Sequence, residues 1–212
     1  SLGVDHVPSN DFSFYDHVLD TCAWTGAVPE RYGWSGDTVN LDTAFHMARG
    51  CPVSDGRPDV TAMEMTKWFD TNYHYIVPEF SPDQQFRLAD TKPIDEFREA
   101  LALGIRTRPV LLGPVSFLLL GKMRGGASDP LALLDRLIPV YAELLCALAD
   151  AGAEWVQVDE PCLVLDLDAA AVRAYRDAYR VLGTLDHGPR ILLTSYFGGL
   201  HENLGLATQL NV

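Results

Sequence analysis

Short apolar runs alternate with amphipathic stretches along most of this 212-residue chain. Five runs read as strands: residues 7–15, 60–66, 109–115, 155–160 and 191–196. The last three are short apolar runs that end in polar or turn residues, which suits parallel strands covered on both faces. Between them the apolar positions recur every three or four residues. Residues 94–103 start after Pro93, place Ile94, Phe97 and Leu101 on one face and stop at Gly104. Residues 131–151 form a longer helical pattern closed by Gly152, with Pro139 inside it predicting a kink or two helices. Residues 169–182 form a third helix, closed by Gly183. The run at 115–121 fits a strand followed by a turn or short helix. Residues 28–56 and 71–92 read as long loops.

Strands alternating with helices predict a parallel α/β sheet. No G-x-G-x-x-G follows the first strand, which removes the usual dinucleotide signature. Polar and charged residues gather where strands end: Asp11 and Asp16, Glu64 and Lys67, Asp159 and Glu160. A (β/α)8 barrel displays its site residues in that way. A whole barrel usually takes ~250 residues, however, and only five strands plus a possible sixth from Leu210 are visible. The expectation is a TIM-barrel-type domain present in part.

Composition narrows the classes. The chain is 48% hydrophobic with a net charge of −13, and its mean hydropathy is +0.02. That is a globular composition with enough apolar material for one core. The negative charge disfavours nucleic acid and anionic membranes as partners. No apolar run approaches the ~18 residues of a membrane span, and the N-terminus does not read as a signal peptide. Cys22, Cys51, Cys146 and Cys162 are scattered without metal-ligand spacing. They predict a reducing, cytoplasmic setting, with Cys146 and Cys162 acting as small buried hydrophobes. His17, His74 and His201 lack partners at ligand spacing and read as orienting or surface groups.

The densest chemistry lies in Met63-Glu-Met-Thr-Lys-Trp-Phe-Asp-Thr-Asn-Tyr-His-Tyr-Ile-Val-Pro-Glu79. Lys67 at a strand end among aromatics suits an anion. Asn72 offers a donor and an acceptor to a planar heterocycle or amide. The plainer reading is a polar network that anchors a long loop. A glycoside hydrolase would instead pair Glu64 or Glu79 with Glu160 across the strand ends.

This segment closely resembles the signature of cobalamin-independent methionine synthases (5-methyltetrahydropteroyltriglutamate–homocysteine methyltransferases). The resemblance continues, in family order, through residues 7–20, 26–32, 110–122, 155–167 and 193–197. It implies that residues 1–212 are part of the N-terminal of two face-to-face barrels. That barrel is thought to help hold the polyglutamate form of 5-methyltetrahydrofolate. By motif, the folate-contacting residues fall on Lys67 and Asn72.

The family's basic Lys-Arg-Glu-Leu-Lys-like stretch has no counterpart before Val7, and the chain stops where a seventh strand is expected. The first and last strands and the C-terminal catalytic barrel are therefore expected to be missing. That barrel carries zinc, on histidine, cysteine, glutamate and cysteine, and binds homocysteine. Where its sixth strand has a His-x-Cys pair, this chain reads Leu192-Leu-Thr-Ser-Tyr196, so no metal is expected here. The resemblance also excludes cobalamin. Asp159 and Glu160 match a substrate-holding Asp-Glu-Pro strand of the catalytic barrel, and are expected here to be chiefly structural. The function implied is support of methyl transfer from folate to homocysteine, with no transfer by the piece alone. A stand-alone folate-binding module is the non-catalytic alternative.

Overall fold

The computed structural model describes residues 3–4, 6–36, 38–52, 59–125 and 129–212. Its centre is a four-stranded, all-parallel sheet in the order β1 (Val7–Ser9), β5 (Thr107–Leu112), β7 (Trp155–Asp159) and β8 (Arg190–Thr194). Val7 lies opposite Thr107, Leu112 opposite Asp159, and Asp159 opposite Thr194. Each strand therefore neighbours the next one of this sheet in sequence, all pointing the same way.

Helices fill the crossovers, as parallel pairing requires. They are α1 (His17–Thr25), α2 (Leu41–Arg49), α3 (Lys92–Ala102), α4 (Pro114–Leu119), α5 (Leu134–Asp150) and α6 (Ala169–Leu182), and a further short helix, α7 (Leu204–Ala207), follows β8. The core lies between sheet and helices. Tyr141 and Leu144 of α5, Tyr175 and Tyr179 of α6, and Phe117 and Leu118 of α4 are wholly buried there. Val156 and Val158 of β7 point into the same layer.

Three expectations are corrected. Residues 60–66 are not a strand of the central sheet. Val60 makes one antiparallel bridge with Cys51, and Met63 N–H donates to the Met47 carbonyl, so the segment lines α2 instead. Its end, β2 (Met65–Lys67), pairs antiparallel with β3 (His74–Ile76) in a separate hairpin. Of the kink or two helices expected at Pro139, two helices are ruled out: α5 is one helix through Pro139, preceded by a 3-10 turn at Pro130–Leu133. Pro139 lies on the exposed face, where the carbonyl left open by its missing N–H meets water. The expected loop at 28–56 holds α2, whose Asn40 cap accepts from Thr43 N–H at 2.8 Å. Residues 53–58 lie outside the described residues.

Smaller shifts concern boundaries. The first strand covers only Val7–Ser9 of the expected 7–15. The run after Gly113 is helix α4 from its first residue, Pro114. The expected loop at 71–92 contains β3 and also β4 (Glu79–Phe80), which pairs in parallel with β6 (Lys122–Met123). No strand starts at Leu210 among the described residues. Cys22 and Cys162 are buried, whereas Cys146 is only half-buried. Among the described residues, no helix is long and apolar enough to cross a membrane.

Candidate functional site

A cavity of ≈ 480 Å³ opens at the C-terminal ends of the central strands. Such ends are where parallel α/β sheets usually carry their ligands. Asn10 and Asp11 follow β1, Val110 and Leu112 come from β5, Asp159 ends β7, and Tyr196 follows β8. His17, Asp20, Thr21 and Trp24 enter from α1, and Trp68 and Tyr73 from the hairpin. Among the described residues, no lysine or arginine lines this cavity.

The loop after β1 is braced by Lys92. Its ammonium donates to Asn10 Oδ1 at 2.8 Å and the Phe12 carbonyl at 2.9 Å, and it meets Glu96 at 2.9 Å and Asp20 at 3.4 Å. Asn10 sits at φ 57, a left-handed conformation that asparagine tolerates. Its side-chain amide donates to the Val110 carbonyl at 2.7 Å, which ties the turn to β5.

Asp16 fixes the hairpin to α1. One carboxylate oxygen caps the helix by accepting from Val18 N–H and Leu19 N–H, each at 2.8 Å. The other accepts from Ile76 N–H of β3 at 3.0 Å. Burial nevertheless pushes this carboxyl up to about 6, against those three hydrogen bonds. His17 beside it is pushed down to about 4 by burial and is neutral at pH 7. Its ring meets Trp68 edge-on at 4.6 Å.

Asp159 and Glu160 are neighbours with opposite surroundings. Asp159 faces the cavity and accepts from Gln157 Nε2 at 2.7 Å and from Thr194 Oγ1. Burial raises its pKa, and the Thr194 and Gln157 hydrogen bonds oppose the rise. Glu160 points away, into the helical layer, and is wholly buried. It accepts from Ser116 N–H at 2.8 Å, Val115 N–H at 3.3 Å and Tyr179 O–H at 2.9 Å. Burial pushes it up to about 7. Gly113 is the residue that makes room, because a Cβ there would overlap the Glu160 carboxyl.

Lys67 and Asn72 lie together on the hairpin, but outside the cavity lining. Both are exposed. Their neighbours Trp68 and Tyr73, in the turn between the two strands, form part of the cavity wall instead. The carboxylates of the glycosidase reading do not meet in the cavity. Glu79 is held by Arg31 through two hydrogen bonds of 2.6 and 2.7 Å, Glu64 is paired with Lys122, and Glu160 is behind the sheet. Among the described residues, no group of three or more His, Cys, Asp or Glu side chains could hold a metal ion.

The sequence matches, over residues 1–212, the family described as cobalamin-independent synthase, N-terminal domain. The chain belongs to that family. The 5-methyltetrahydropteroyltriglutamate–homocysteine methyltransferase of Caulobacter vibrioides is 56% identical across the whole of this chain, which covers 29% of that protein. The enzymes of the same name from Chelativorans sp. and Salinibacter ruber are 60% and 58% identical, again across the whole chain and 28% of theirs. The chain thus spans less than a third of the length of these relatives.

Family membership gives the resemblance in the motif at 63–79 its context. Sequence reasoning named Lys67, Asn72, Asp159 and Glu160, and the structure puts the first two on one hairpin and the other two at the end of β7, Asp159 as its last residue and Glu160 just after it, facing opposite ways. It missed His17, Asp20, Trp24 and Tyr196 as cavity walls. The available signal was the motif at 7–20, whose polar residues recur where α1 turns toward the strand ends.

Proposed function

We propose that this chain is a part of the N-terminal barrel domain of a 5-methyltetrahydropteroyltriglutamate–homocysteine methyltransferase, and that its task is to hold the folate. The consecutive parallel order of β1, β5, β7 and β8, with helices between, supports a (β/α)8 barrel for the complete domain. Methyl transfer itself belongs to the remainder of the parent chain. There zinc would activate the homocysteine thiol as a thiolate, the nucleophile that takes the methyl group without cobalamin. The residues present here do not fit zinc, because the end of β8 offers Thr194, Ser195 and Tyr196. The setting proposed for the parent is the cytoplasm.

One observation carries the folate reading. The chain has three lysines. Lys92 and Lys122 are in ion pairs, and the Lys67 side chain makes no ion pair or hydrogen bond among the described residues. An exposed ammonium with no internal partner, beside Asn72 and backed by Trp68 and Tyr73, suits an aromatic ligand with an anionic tail. The cavity suits that tail poorly. Asp11, Asp20 and Asp159 line it, and Lys92, the lysine that meets Asp20, is already engaged by Glu96 and the loop after β1, so carboxylates are kept to the outer face of the hairpin.

In the full-length parent, Lys67→Ala is expected to weaken triglutamyl 5-methyltetrahydrofolate about fivefold to tenfold, and the monoglutamyl form far less. Titration calorimetry with the two ligands checks this. An equal loss for both would remove the tail-binding role. Undiminished binding and methyl transfer with triglutamyl folate in Lys67→Ala would likewise remove the role.

A further inference from the structure

The hairpin places a second nitrogen base beside Lys67. Lys67 and His74 are directly opposite in the antiparallel register of β2 and β3. Side chains at such positions share a face, with Cβ atoms about 5 Å apart. Both residues are exposed. The pair closes the loop 68–73, where Trp68 N–H donates to the Tyr73 carbonyl at 2.7 Å. The inner side of that loop is committed to the cavity wall, so the outer side is the surface a ligand meets.

The His74 ring is also oriented. Its Nδ1 lies 3.0 Å from the Asn72 carbonyl oxygen. A carbonyl only accepts, so Nδ1 carries the hydrogen and donates it. The outward Nε2 then presents a lone pair when the ring is neutral, and an N–H only when the ring is protonated. A neutral His74 thus offers nothing to a carboxylate, whereas an imidazolium offers a charge-assisted donor.

We propose that His74 is a second ligand, beside Lys67, for the carboxylates of the polyglutamate tail, and that it makes the preference for a long tail depend on pH. This rests on the folate reading above. Several charged or titratable groups surround the ring. Lys67 is across the ladder, Asp70 lies in the loop, and Glu64 precedes β2 but is engaged by Lys122. From α1, which packs on β3, come Asp16, bound by Ile76 N–H, the buried neutral His17, and Asp20, paired with Lys92. The tail carboxylates stay ionised above about pH 5, and a lysine ammonium stays charged up to about pH 10. Histidine is the group whose charge changes between about pH 5 and pH 8.

The test measures, in the full-length parent, the ratio of monoglutamyl to triglutamyl 5-methyltetrahydrofolate dissociation constants at two pH values. The ratio is expected to rise about fivefold from about pH 8 to about pH 6. His74→Gln should flatten that rise, changing triglutamyl binding more than monoglutamyl binding. His74→Lys should give a high ratio at both pH values. A rise that persists in His74→Gln, or no rise in the unaltered protein, overturns the proposal. Lys67→Ala separates the two levels. If it weakens both ligands equally, the folate-tail reading fails. If it weakens only the triglutamyl form while His74→Gln changes nothing, the role of His74 alone fails.

Discussion

Replacing Glu160 by alanine is expected to destabilise the chain by about 4 kcal/mol, because the change strands several buried donors at once. Ser116 N–H, Val115 N–H and Tyr179 O–H all donate to this carboxylate, and all three residues are wholly buried. Removal also leaves a void between β7, α4 and α6. Urea unfolding followed by circular dichroism measures the loss. A cost under about 1 kcal/mol would show that the donors find other partners.

The same residue sets a pH dependence with a definite sign. Burial raises Glu160 from 4.5 to about 7 in the folded chain. The folded state therefore holds the proton more tightly than the unfolded one. That contribution is complete below about pH 4.5 and is lost as pH rises through about 7. Asp16 adds in the same direction, over a window from 3.8 to about 6. His17, pushed down from 6.5 to about 4, acts the other way below about pH 6.5, so the net fall in stability between about pH 5 and pH 8 should be about 2 kcal/mol, and Glu160→Gln should remove it. A chain whose stability rises over that range would refute the assignment.

The second large effect is expected at Asp16. Asp16→Ala removes an N-cap and the only side chain that joins α1 to Ile76 N–H among the described residues. A lost cap costs about 1 kcal/mol, and a buried N–H without a partner costs about 1–3 kcal/mol more. A total of about 3 kcal/mol is expected at pH 7. Its location distinguishes it from Glu160→Ala. Hydrogen exchange at the amide of Ile76 and across 65–76 should quicken far more than exchange in β7. Equal acceleration everywhere would mean that the hairpin and α1 unfold only with the whole chain.

Much of the frame is legible in the sequence because burial on both faces leaves a plain apolar signal. Helix Ala169–Leu182 has the bounds its periodicity implies, and β5, β7 and β8 lie within three residues of their apolar runs. The segment at 60–66 misleads because its alternation is real but serves another surface. Met63 is buried by packing on α2, not by pairing with β1. Helix α2 hides among Gly, Pro and Asp because only nine residues carry its pattern. For the proposed site, Lys67 and Asn72 are reached through the resemblance in the motif at 63–79. The cavity is not, since its walls come from segments as distant as Asn10, Tyr73, Asp159 and Tyr196, which only the sheet order brings together.

Alternation along β7 has a consequence for how such a domain can change. Asp159 and Glu160 are adjacent in sequence, yet one meets a ligand-sized space and the other bolts α4 and α6 to the sheet. Val156 and Val158 belong with Glu160 in the buried set, Gln157 with Asp159 in the open one. Variation in what the cavity accepts can therefore accumulate at every other position while the positions between stay fixed. A single-residue insertion in this strand would exchange the two sets, and with them recognition and stability, in one event.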